Sequence, residues 1–126
     1  MDWLGADNLE AVESQLRQDG WTVFRLDANI VDSVGFFASV RKTLPLNPPV
    51  VSDFCWDALS DSLWEGLLEL TDKRIAIIWP TASALSSQDP ESFGHVSSIL
   101  ASVSGSLAHG RDSLGIVKDV RILLGQ

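Results

Sequence analysis

The chain has 126 residues, enough for one domain with its own core. Apolar residues make up 45% and charged residues 21%, which excludes a wholly disordered chain, and no apolar run approaches the roughly 20 residues of a membrane-spanning helix. Acidic residues outnumber Lys and Arg by 17 to 9, and the net charge of −8 argues against binding to nucleic acid or anionic lipid. It leaves either a basic partner or an ordinary acidic surface.

The first residues contain neither a basic segment nor a long apolar one, so we expect no secretory signal. Cys55 is the only cysteine, which excludes an intramolecular disulfide. Both observations favour the reducing environment of the cytoplasm.

Segments with apolar residues at helical spacing alternate along the chain with short runs rich in β-branched and aromatic residues. The predicted helices cover residues 7–19, 32–44, about 52–70 and 90–108. The predicted strands cover residues 21–26, 74–79 and 120–124. The prolines of 45–52 make that segment an extended loop, 81–88 is a polar connector with room for one helical turn, and 110–118 is a polar loop.

Strands that alternate with helices predict a parallel sheet. Because crossovers between parallel strands are right-handed, the strand order 1-2-3 places both crossovers on one face. We therefore expect a two-layer α/β fold, in which a three-stranded parallel sheet of order 1-2-3 carries its helices mainly on one face. The helix at 7–19 is free to cover the other face or an edge, so residues 1–20 are predicted to be a helical extension of one globular unit, 21–126.

Signatures of catalysis and of cofactor binding are missing from the sequence. There is no glycine-rich phosphate loop and no nucleophile elbow, and His95, His109 and Cys55 do not form a zinc-binding set. Cys55 lies between Phe54 and Trp56 and is expected to be buried and inert. We therefore expect no catalytic residue, no metal and no cofactor, and a protein that is not an enzyme.

One segment has an unusual charge pattern. Between Pro45 and Leu70 an acid occurs at every fourth position and no basic residue occurs: Asp53, Asp57, Asp61, Glu65 and Glu69. On a helix these acids share one slowly drifting face, although like charges four residues apart destabilise a helix by roughly 0.2–0.5 kcal/mol per pair. Trp64 falls on the same face. A tryptophan among acids predicts a surface that binds a basic partner, and a plain solvated face is the simpler alternative.

Residues 56–63, WDALSDSL, resemble the binding helix of the barstar family, the intracellular inhibitors of secreted guanyl-specific ribonucleases. The family pattern there is Asn, an apolar residue, Asp-Ala-Leu, Trp, Asp, a small residue and Leu. The strand that ends at Trp79, the helix after it and the strand at 120–124 extend the resemblance, by order and spacing, over about residues 21–125. The family fold is a three-stranded parallel sheet with helices on one face, which agrees with the topology expected above.

The resemblance implies an inhibitor that plugs a nuclease active site with this helix and the loop before it. The two acids of the motif correspond to Asp57 and Asp61, and in the family the second occupies the phosphate site of the enzyme. The expected partner is a basic secreted bacterial ribonuclease, bound by a chain that is monomeric when free, and no nucleic acid or membrane is involved. The predicted partner-binding residues are Asp61, Asp57, Trp64, Phe54, Asp53, Val51 and Glu65.

Several departures from the family pattern leave a second interpretation open. The aromatic pair before the helix is replaced by Val50 and Val51, the Asn by Cys55 and the Trp of the motif by Ser60. The acid of the following long helix has no counterpart near Ala101. The alternative is a barstar-like module that binds a basic partner other than a ribonuclease, such as another toxin or a regulator.

Overall fold

A computed structural model of the chain describes residues 1–110 and 112–126. Within them the chain forms four strands and five helices. The strands are β1 (Asp2–Leu4), β2 (Thr22–Arg25), β3 (Arg74–Trp79) and β4 (Asp119–Gly125). The helices are α1 (Ala6–Gln18), α2 (Ser33–Thr43), α3 (Trp56–Glu69), α4 (Ala82–Gln88) and α5 (Pro90–His109).

The strands form one parallel sheet in the order β1-β4-β3-β2. The α/β class and the parallel sheet are confirmed, and the three predicted strands lie side by side in sequence order as β2, β3 and β4. The prediction of three strands in the order 1-2-3 is wrong, because residues 2–4 add a fourth strand beside β4. This strand is too short to show a recognisable alternation, and it joins the sheet through backbone pairing, which side-chain patterns do not report.

Alternation along β3 explains how the sheet is covered. Ile75, Ile77 and Trp79 face the main core, which is built with α2, α3, α4 and α5. Ala76 and Ile78 point to the opposite face, where α1 covers the sheet. Most helices therefore lie on one face as expected, but α1 adds a third layer to the two that were predicted. Residues 1–20 consequently contribute both an edge strand and a covering helix to the same sheet.

The helix boundaries follow local hydrogen bonding. α2 begins after Asp32, whose carboxylate accepts a hydrogen bond from the Gly35 amide at 2.8 Å. α3 begins at Trp56 rather than near residue 52, because the Ser52 hydroxyl accepts hydrogen bonds from the amides of Phe54 and Cys55 and holds a turn there. Among the described residues, no helix combines the length and the apolar character that crossing a membrane requires.

Candidate protein-binding surface

The acids of α3 divide into two groups according to exposure. Asp57 and Asp61 are exposed, one turn apart, on the side of α3 opposite its buried leucines. Glu65 is half-buried, and Glu69 at the end of the helix is exposed. Among the described residues, no ion pair includes Asp57 or Asp61. α3 therefore presents two carboxylates that form no ion pair within the described residues.

The loop before α3 presents two exposed apolar side chains. Val51 is 91% exposed and Phe54 is 79% exposed, whereas Val50 is buried in the main core. Asp53, predicted to face a partner, pairs with Arg41 of α2 at 2.8 Å. Its charge is therefore partly compensated within the chain. Large apolar side chains that are exposed in one segment are a feature of protein-binding surfaces.

Close packing against α3 fixes the first part of the same loop, residues 45–49. The Asn47 amide donates to the Ser62 carbonyl oxygen at 3.1 Å, and the Ser62 hydroxyl donates to the carbonyl oxygen of Pro48. The Asn47 side chain donates to both carboxylate oxygens of Glu69, at 2.9 and 2.8 Å. Gly66 allows this approach, because a Cβ atom there would lie 1.3 Å from the Pro45 carbonyl oxygen. The loop and the helix therefore form one connected unit.

Trp56 anchors the start of α3. Its ring packs against the ring of Phe37, with centroids 4.8 Å apart. It also stacks on the ring of His95 of α5, with centroids 5.2 Å apart and an angle of 11° between the ring planes. His95 itself is exposed. The expectation that Cys55 is buried is wrong: it is exposed, because it precedes the first residue of α3 and does not share the buried face of the helix.

Trp64 occupies the junction between α3 and α5. It is half-buried, packs against the main core, and donates a hydrogen bond from its indole Nε1 to the Ser106 hydroxyl at 3.2 Å. Together with neighbouring residues it lines a cleft of about 480 Å³. The lining of this cleft comprises Ser60, Asp61, Trp64 and Glu65 of α3, Ser102, Val103 and Ser106 of α5, and Asp112.

Sequence reasoning missed the contributions of α5 and of the loop that follows it. Ser102, Ser106 and Asp112 line the cleft, yet none belongs to a recognisable motif. The small residues of α5 were the only sign of the cleft in the sequence, because a helix face of serines leaves space beside the larger side chains of a neighbouring helix. Among the described residues, no group of His, Cys, Asp and Glu side chains is arranged to hold a metal ion.

Comparison of the chain with protein-family models, with curated proteins and with solved structures gave no match. The surface formed by α3 and the preceding loop therefore carries the functional proposal.

Proposed function

We propose that this chain is a barstar-like inhibitor, which acts in the cytoplasm and blocks the active site of a secreted guanyl-specific bacterial ribonuclease with α3 and the preceding loop. The observation that carries the proposal is the exposure of Asp57 and Asp61, one turn apart on α3, together with the exposed side chains of Val51 and Phe54 in the preceding loop.

The electrostatic reason is that a ribonuclease must hold phosphate groups in a basic cleft. Two carboxylates on one helix present negative charges to such a cleft and compete with the RNA backbone. A net charge of −8 also favours rapid encounter with a basic enzyme, because opposite charges steer association. Asp61, the second acid of the motif, is the carboxylate proposed to enter the phosphate site.

Preorganisation supports the same conclusion. An inhibitor that orders a flexible loop on binding loses part of its binding energy as conformational entropy. Here residues 45–49 are already hydrogen-bonded to Ser62 and Glu69 of α3, and Arg41 of α2 donates to Asp53 and to the Ser52 carbonyl. The free chain therefore holds the loop close to α3 before a partner arrives.

The alternative proposal, a module of the same fold for a basic partner other than a ribonuclease, is favoured by the loop. Val50 is buried, so only Val51 of that pair reaches the surface, and it carries no ring to stack on a nuclease. Ser60, at the position of the family's tryptophan, is half-buried and also lacks a ring.

Inhibition assays with purified guanyl-specific ribonucleases from several bacteria test the proposal. We expect stoichiometric inhibition of at least one enzyme, and we expect Asp61→Ala to weaken binding by about 2 kcal/mol or more, the usual threshold for a dominant interface residue. Glu10→Ala, which removes an exposed acid from α1, is the matched control and should bind like the wild type.

Inhibition that is equally strong with Asp61→Ala would contradict the role given to this carboxylate. Binding to no ribonuclease, combined with binding to another basic protein that Asp61→Ala weakens, would support the alternative partner.

A further inference from the structure

The outer edge of β4 is only partly covered by β1. On its inner side β4 pairs with β3 over residues 119–124, but on its outer side β1 pairs only with residues 123–125. Among the described residues, no strand therefore lies beside the outer edge of residues 119–122. A depression of about 200 Å³ is found at this place, and it is lined by Met1, Asp2, Ser104 of α5, Val120, Arg121 and Ile122.

The backbone groups of Val120 point into this gap. The Asp119 amide donates to the carbonyl of Lys73, just before β3, at 2.8 Å, and the Gln126 amide donates to the carbonyl of Leu4 in β1 at 2.9 Å. Because successive residues of a strand bond to opposite sides, the odd-numbered residues of β4 bond towards β3 and the even-numbered ones towards β1. Val120 consequently turns its N–H and C=O to the uncovered side. Such an edge is a template for a further strand.

We propose that a second copy of this chain covers the gap, with the two β4 strands antiparallel about a two-fold axis at Val120. In this register the two Val120 residues lie opposite each other and exchange both of their N–H···O bonds. Each Asp119 then lies opposite Arg121 of the second copy, so symmetry creates two contacts between opposite charges. Both side chains lie on the α1 face of the sheet, because they are in register with Arg74 and Ala76 of β3.

Charge favours this register over its neighbour. A two-fold axis at Arg121 would place two arginines directly opposite each other, which is unfavourable. In the free chain the Arg121 guanidinium lies over the Trp21 ring at 4.7 Å, and that of Arg74 lies over the same ring at 5.6 Å. Trp21 therefore keeps one cation when Arg121 turns to the second copy. Among the described residues, neither Asp119 nor Arg121 belongs to an ion pair.

Exposed apolar side chains border the same edge. Met1 is 51% exposed, and Val117, two residues before β4, is 52% exposed. In the antiparallel arrangement Val117 of one copy approaches Met1 of the other, because the chain before one β4 runs towards the other β1. On the main-core face, half-buried Val120 meets its symmetry mate. This dimer departs from the monomer expected from the sequence, and it uses no residue of α3 or of the loop before it.

Sedimentation equilibrium of the full chain tests the dimer. We expect a reversible monomer–dimer equilibrium with a dissociation constant in the micromolar range. Asp119→Arg, which places arginines opposite each other at both symmetry-related contacts, should weaken the dimer by about tenfold. Glu10→Arg makes the same change of net charge at an exposed position of α1, and this control should dimerise like the wild type. The charge-swapped variant Asp119→Arg/Arg121→Asp should recover the dimer to within about threefold.

Amide hydrogen exchange locates the contact in the unmodified chain. Exchange of the Val120 N–H should slow as the protein concentration rises through the dissociation constant, whereas the Asp119 N–H, already bonded to Lys73, should change much less. A chain that stays monomeric from micromolar to millimolar concentration would overturn the proposal. A dimer in which Val120 exchange does not depend on concentration, or which the charge-swapped variant fails to recover, would overturn the pairing at β4.

Discussion

Gly66 lies in the middle of α3, where alanine would ordinarily be the better residue for a helix by about 1 kcal/mol. The structure predicts the opposite sign here. The Cβ atom of Gly66→Ala would lie 1.3 Å from the Pro45 carbonyl oxygen and 2.5 Å from its carbon, and neither contact can be relieved by a side-chain rotation. Residues 45–49 must therefore move away from α3.

The cost follows from the contacts that this movement breaks. The loop is joined to α3 through the Asn47 amide on Ser62, the Ser62 hydroxyl on Pro48, and the Asn47 side chain on Glu69. At about 0.5–1.5 kcal/mol for each bonded group, their loss amounts to roughly 2–4 kcal/mol. After the helix gain of about 1 kcal/mol, the free energy of unfolding should fall by roughly 1–3 kcal/mol, the usual size of an overpacking effect.

Urea unfolding of matched glycine variants measures this effect. Gly94 lies inside α5, and a Cβ atom there would meet nothing within 4 Å, so Gly94→Ala should be neutral or stabilising by up to about 1 kcal/mol. Gly66→Ala should be destabilised in the same assay and should inhibit the partner less well, because the loop is displaced. A Gly66→Ala protein as stable as the wild type would refute the proposed packing of the loop on α3.

Three further outcomes are expected. The association rate with a basic partner should fall as salt rises from roughly 0.05 to 0.5 M, and a rate that does not change would indicate a mainly apolar interface. Trp56→Ala should lower the free energy of unfolding by about 3 kcal/mol, because its ring packs against Phe37, and calorimetry would detect this loss. The hydrogen bond from Lys42 holds the pKa of Asp27 below its ordinary value of 3.8, so this pair stabilises the fold above pH 3.8 and loses its effect as the pH falls through the lowered pKa. In Lys42→Met, an NMR titration should find the Asp27 pKa raised; an unchanged pKa would contradict this contact.

The sequence allowed the central strands to be predicted for a clear physical reason. Residues 75–79 are apolar without interruption, and the structure buries all of them because helices cover both faces of the sheet. β1 could not be predicted, since three residues form no periodic pattern. Residues 81–88 were predicted to be a polar connector with room for one helical turn, but seven of them form α4, whose Ala82 and Leu85 enter the main core.

At the candidate site, the spacing of residues along the sequence predicted which acids are exposed, but not which side chains meet across two helices. The spacing of four residues between the acids predicted that Asp57 and Asp61 lie on the solvent side of α3, where the structure shows them. The same spacing could not show that Trp64 bonds to Ser106 of α5, because this contact depends on which helix lies beside α3. The role of Gly66 was hidden for the same reason: only the folded chain brings Pro45 over the helix.

The contacts of the basic residues explain why these cations do not neutralise the acids of α3. Arg17 and Arg25 pair with Glu13, Arg41 pairs with Asp53 and Lys42 pairs with Asp27. Other cations also make contacts within the chain: Lys118 donates to backbone carbonyls, and Arg74 and Arg121 lie over the ring of Trp21. These residues therefore do not neutralise Asp57 and Asp61, and repulsion between acids four residues apart slightly weakens the free helix. The cations of a basic partner would attract both carboxylates and offset this repulsion. The same carboxylates that reduce the stability of the free chain would therefore strengthen the complex.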